Sequence, residues 1–176
     1  MAETPRTYAE LQTALADNTT RAITPEDVRD LMASIMSCYG TMAIVAATAP
    51  PQGLNDLTWT VISGWDQIQT QSNMTVDLGA SSTTVLYEGV YQASVSLSFE
   101  LDGKDTMRLG LSVNGAPPAS GGFGRKVQNA SDLGSMSALT QAPVLAGDII
   151  TVVGKLTDGT ANITSHTAVF AMSRIG

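Results

Sequence analysis

Between residues 90 and 100 polar and apolar side chains alternate without a break. Tyr91, Ala93, Val95, Leu97 and Phe99 fall on one side of the chain, and Gln92, Ser94, Ser96, Ser98 and Glu100 on the other. Successive side chains of an extended chain point to opposite faces. A period of two therefore specifies a strand with one face on a core and the other in water. Asp102-Gly103 then marks a turn.

The same signal recurs downstream. Leu109, Leu111 and Val113 share one side of the stretch from Arg108 to Val113, which ends at the turn pair Asn114-Gly115. Shorter candidate strands cover 57–62, 74–78, 83–87 and 135–139. Ile149 to Val153 follows the turn residues Ala146-Gly147-Asp148, and a closing strand covers about 166–175. Roughly eight strands joined by glycine-rich turns imply a sandwich or a barrel. With 5% aromatic residues, its core must be built from Val, Leu, Ile, Ala and Met.

The first fifty residues read differently. Thr7-Tyr8-Ala9-Glu10 forms a capping box, with Tyr8, Leu11 and Leu15 at helical spacing behind it. Thr24-Pro25-Glu26-Asp27 supplies a second helix start: a hydroxyl cap, proline at the first helical position and two acids in the first turn. Val28, Leu31, Met32, Ile35 and Met36 then make one apolar stripe, predicting a helix over 25–38. Such short helices cannot bury their stripes alone. The stripe needs a partner: a helical hairpin on the chain's own β domain, the same helix in other subunits, or another protein. Pro50-Pro51-Gln52-Gly53 places a boundary here, giving an N-terminal segment 1–50 for anchoring or trimerisation and a β domain 51–176.

Charge and composition exclude several functions. The formal net charge is −7, and the nine basic residues are scattered, so clustered phosphate contacts and nucleic-acid binding are not expected. The most apolar run, Met42 to Ala49, is far shorter than the roughly 20 residues of a membrane helix. The start lacks a basic and then apolar leader, so synthesis in a cytoplasm is expected. The single cysteine, Cys38, allows no disulfide within the chain and reads as a small buried hydrophobe.

No catalytic constellation emerges. Gly121-Gly122-Phe123-Gly124-Arg125-Lys126 is glycine-rich and basic, but Val127 follows where a phosphate loop needs Ser or Thr. It reads as a flexible loop. Asp102-Gly103-Lys104-Asp105 reads as a hairpin turn rather than a calcium loop. The only histidine, His166, has no nucleophile elbow to serve. The expectation is a protein that is not an enzyme and has no cofactor, no metal and no catalytic residues.

The strand Gly89-Val90-Tyr91-Gln92-Ala93-Ser94-Val95-Ser96-Leu97-Ser98-Phe99 resembles the Gly-x-Tyr strand of tumour-necrosis-factor and complement-type globular heads. Leu109 to Gly115 resembles their middle strand and turn, Val144 to Val152 their Leu-x-x-Gly-Asp-x-Val strand, and His166 to Ile175, centred on Phe170, their closing strand. The closing strand reads Phe170-Ala171-Met172 where the family has Phe-x-Gly. This resemblance spans about 54–176 and implies a trimeric jelly-roll β-sandwich, here preceded by a short α-helical segment. It further implies that Tyr91 lies at the subunit contact, with Val95, Leu97, Phe99 and Phe170 in the trimer or core of the head.

Ile23 to Leu31 resembles segments common in tailed-phage structural proteins. Together the two resemblances imply a virion-surface protein: a homotrimeric capsid decoration protein or head fibre, bound to the major capsid protein or another virion protein. Val28, Leu31, Met32, Ile35 and Met36 would form the anchor. The alternative is a receptor- or glycan-binding head of a tail fibre or baseplate, using the 115–133 loop and its Phe123.

Overall fold

The computed structural model describes Val28 and residues 38–47, 51–119, 122–130 and 132–175. Within them lie β1 (Tyr39–Ile44), β2 (Gln52–Asn55), β3 (Thr60–Val61), β4 (Gln67–Ser72), β5 (Met74–Asp77) and β6 (Ser82–Val85). These are followed by β7 (Gly89–Leu101), β8 (Asp105–Val113), β9 (Phe123–Val127), β10 (Gly134–Val144), β11 (Ile149–Leu156) and β12 (Thr160–Arg174). The strands form two six-stranded sheets. The first runs β10-β7-β12-β1-β4 with β2 added to β12; the second runs β5-β6-β11-β8-β9 with β3 added to β11. All pairings are antiparallel. β10, β11 and β12 change sheet at each turn, and β12 returns to lie between β7 and β1. That is a jelly-roll connectivity, mainly β, as the sequence implies.

The core is the space between the sheets. Tyr91, Val95, Leu97 and Phe99 project into it from β7, and Phe170, paired with Val95, from β12. Met107 and Leu109 of β8 and Val152 and Leu156 of β11 meet them from the second sheet. Burial of this kind, at about 25 cal/mol per Å² of apolar surface, is the main stabilising term. The ring of Phe99 lies under Gly134 of β10, where a Cβ would come within 3.0 Å of it.

Several expectations are corrected. The β domain begins before residue 50: Tyr39–Ile44 is β1, hydrogen-bonded to β12 on one side and β4 on the other. Met42 and Ile44 are fully buried in the core. The compact unit holding the sandwich is Cys38–Gly176. Cys38, the expected last residue of the helix, is not helical. The Cys38 carbonyl accepts the Arg174 amide at 2.8 Å and so extends the β1–β12 ladder. The remaining helix positions, including Leu31, Met32, Ile35 and Met36, lie outside the described residues; Val28 alone is described, and it is exposed. Gly121 to Lys126 is not wholly a loop either, because Phe123–Val127 forms β9 on the edge of the second sheet, paired with β8.

The turns are made by the residues the sequence offered. Asn114 and Gly115 both have positive φ, at 51° and 79°, and the Ala116 amide closes on the Val113 carbonyl at 3.0 Å. This conformation suits Asn-Gly. The Asn114 side chain then bridges to the next turn: its Nδ2 donates to Asp148 Oδ1 at 2.7 Å, and its Oδ1 accepts the Ile149 amide. Asp148 Oδ2 accepts the Leu145 amide at 2.8 Å.

Two outcomes follow for folding. Removal of residues 1–37 should leave a cooperatively unfolding domain, whereas a chain starting at Gly53 loses β1 from between β12 and β4. The shorter chain should show no sharp thermal transition by circular dichroism. The Asp148 carboxyl is held below its ordinary value of 3.8, first by the Leu145 amide and then by Asn114. A depressed carboxylate adds stability above its unfolded-state value, and that stability fades as pH falls through the lower folded value. Asp148→Asn should therefore melt below the native chain at neutral pH, and the gap should narrow as the pH drops below 3.8.

Candidate interaction surface

The alternation that buries one face of β7 exposes the other, and neighbouring strands extend that outer face in register. Ser137 of β10 stands beside Ser96 of β7, Val169 of β12, Ala43 of β1, which is buried, and Gln67 of β4. The next row is Leu139, Ser94, Ala171, Thr41 and Thr70. The third is Gln141, Gln92, Ser173, Tyr39 and Ser72. None of these positions carries a charge, although the chain has 16 acidic and nine basic residues. Leu139 is 55% exposed and Val169 42%. With Ser94, Ser96, Ser137 and Phe123 they line a shallow depression of about 520 Å³.

Small uncharged side chains have two physical consequences. They let another backbone approach closely, and no ion has to be stripped of water when the face is covered. Depletion of charge is also what marks the buried centre of protein interfaces. The one amide pair on the face, Gln141 Nε2 donating to Gln92 Oε1 at 3.1 Å, is already satisfied.

Ionisable groups sit at the rim. β12 carries an irregularity between Ser165 and Thr167, and His166 occupies it. Its Nε2 lies 3.3 Å from Glu100 Oε1, within ion-pairing range but not angled as a hydrogen bond. The carboxylates once weighed for calcium do separate work. Asp102 accepts the amide and side chain of Asn162 and ties its turn to β12, and Asp105 accepts the Asp158 amide and ties β8 to the turn before β12.

The structure gathers the five head residues singled out from the sequence into one core. Val95, Leu97, Phe99 and Phe170 are all buried there. Tyr91 stands with them. It is 1% exposed within a single chain, and its hydroxyl donates to the Tyr87 carbonyl at 2.7 Å. Burial first, and then a hydrogen bond with the Cys38 thiol, pushes its hydroxyl well above the ordinary range. The solvent-facing side of the same strand is its serine side. Its signal was present in the sequence: Ser94, Ser96 and Ser98 alternate with the core residues and carry no charge.

No family model matches the chain, and no curated protein matches it by sequence. Solved structures do. The globular domain of zebrafish complement 1qA protein is similar with a TM-score of 0.53 at 16% identity, over 78% of this chain and 97% of that one. Murine APRIL at pH 8.0 is similar with a TM-score of 0.50 at 17% identity, over 79% and 99%. The fold is therefore a tumour-necrosis-factor and complement-type jelly roll.

Substitutions on β7 should separate its two faces. Phe99→Ala should cost about 3–5 kcal/mol in urea unfolding, because the ring is fully buried. Ser96→Ala should change stability by less than about 0.5 kcal/mol. Tyr91→Phe should cost about 1 kcal/mol, the net worth of its hydroxyl bond.

Proposed function

We propose that this chain is a virion structural protein of a tailed phage, a homotrimeric capsid decoration protein or head fibre. The observation that carries the trimer is the uncharged outer face of the first sheet, with Val169 and Leu139 exposed at its centre. Heads of the tumour-necrosis-factor and complement type are trimers, and the shared fold supports the same use of this chain. The virion placement rests on the resemblance of Ile23 to Leu31 to segments of tailed-phage structural proteins. In this reading the N-terminal segment, with its stripe of Val28, Leu31, Met32, Ile35 and Met36, binds the major capsid protein or another virion protein. Three such anchors on one trimer raise overall binding by about 10²–10⁴ over one arm, provided all can engage together.

Light scattering of the purified chain should give three copies per particle. Val169→Asp places a charge at the centre of the face and should yield monomers with an unchanged circular dichroism spectrum. Trimers that survive Val169→Asp would place the contact elsewhere. Electron microscopy of the parent particle decides the location: regular knobs over the shell support decoration. Copies confined to the tail would support a receptor- or glycan-binding head instead.

A further inference from the structure

The core of the sandwich is unevenly filled. At one end β7 and β12 send Leu97, Phe99 and Phe170 between the sheets. At the other, Ala93 of β7 and Ala138 and Ala142 of β10 stand among Tyr91, Thr140, Val144 and Met172, with Ala93 paired to Thr140. Leu111, Val113 and Ile150 face them from the second sheet. Packed sheets stand about 10 Å apart, and alanine does not reach across half of that distance. A partly enclosed space of about 260 Å³ remains, closed on one side by the segment Ala116 to Ala119.

That wall is held in place by a missing side chain. The Pro118 ring sits against Gly110 of β8, where a Cβ would come within 2.5 Å of it. Few polar side chains line the space, and among them the Tyr91 hydroxyl donates to the Tyr87 carbonyl. Water needs two to four polar partners to occupy an interior site, whereas an aliphatic cavity of about 150 Å³ stays dry and takes up benzene.

We infer that this space is a binding site for a small apolar molecule, a single aromatic ring or a short alkyl chain, enclosed between the sheets beneath Pro117 and Pro118. The occupant gains by burial of its apolar surface, with shape as the main selector. The site lies on the inner side of the first sheet, and its lining shares Phe123 and Ala138 with the depression on the outer face.

Benzene added to the full chain tests this. It should raise the melting temperature by mass action on the folded state. It should also shift the methyl resonances of Ala93, Val113, Ala138 and Ile150 while leaving Ala43 and Ala171 unmoved. Ala138→Leu fills the space and should weaken benzene binding by about tenfold or more. Should that variant fail to fold, Ala142→Val carries the same comparison. The inference is overturned if benzene moves none of these methyls, if it moves only those of the outer face, or if folded filled variants bind it undiminished. Ordered water within the space, seen as cross-peaks to the same methyls, would overturn it as well.

Discussion

Apolar packing between the two sheets is the interaction on which the rest of this molecule depends. With one cysteine, the chain has no internal cross-link to hold the layers together. Phe99, Phe170 and Leu97 meet Met107, Leu109 and Leu156 across the interlayer, all of them buried. The fit is tight where it is filled: Phe99 occupies the room that a side chain at residue 134 would need. Because aromatics are scarce, Phe99 and Phe170 fill one end, while at the other Tyr91 stands among alanines. The uneven core and the internal space are thus two aspects of one composition.

How much of this could be read from the sequence depended on what each strand borders. β7 has a core on one side and solvent on the other, so its pattern is a clean alternation and its limits were legible. β1 was not, because Gly40 and Ala43 blur the alternation and Met42 to Ile44 merges into an apolar run. That run leads to Pro50-Pro51, whose helix-breaking chemistry suggested a domain boundary where there is only a connection. β4, Gln-Ile-Gln-Thr-Gln-Ser, is almost wholly exposed and carries little apolar signal. β9 was hidden by its glycines. In each case tertiary pairing supplied what local pattern lacked.

The interaction surface was half legible. The serine face of β7 was evident as solvent-facing, but its continuation across four other strands depends on register, which only the folded chain fixes. Tyr91 shows the opposite limit. The family pattern located the strand correctly, yet the direction of one ring is set by what lies beneath it: here the Tyr87 carbonyl and Cys38. Among the described residues, the three central rows of the sheet face carry no acid, and the nearest on β7, Glu100, stands at the rim. Long-range repulsion can keep the protein soluble while the face itself stays free of desolvation cost.

The position of β12 also sets a timetable. Tyr39 pairs with Ser173, so β1 cannot complete its ladder until the ribosome has added every residue between them. At about 5–20 residues per second, the wait is on the order of ten seconds. During that interval β1 and β7 both lack the strand that separates them, and their backbone edges are open to pairing with other nascent chains. Crowded synthesis on neighbouring ribosomes is therefore a hazard written into the topology: the strand that joins the sheet is translated last among its partners.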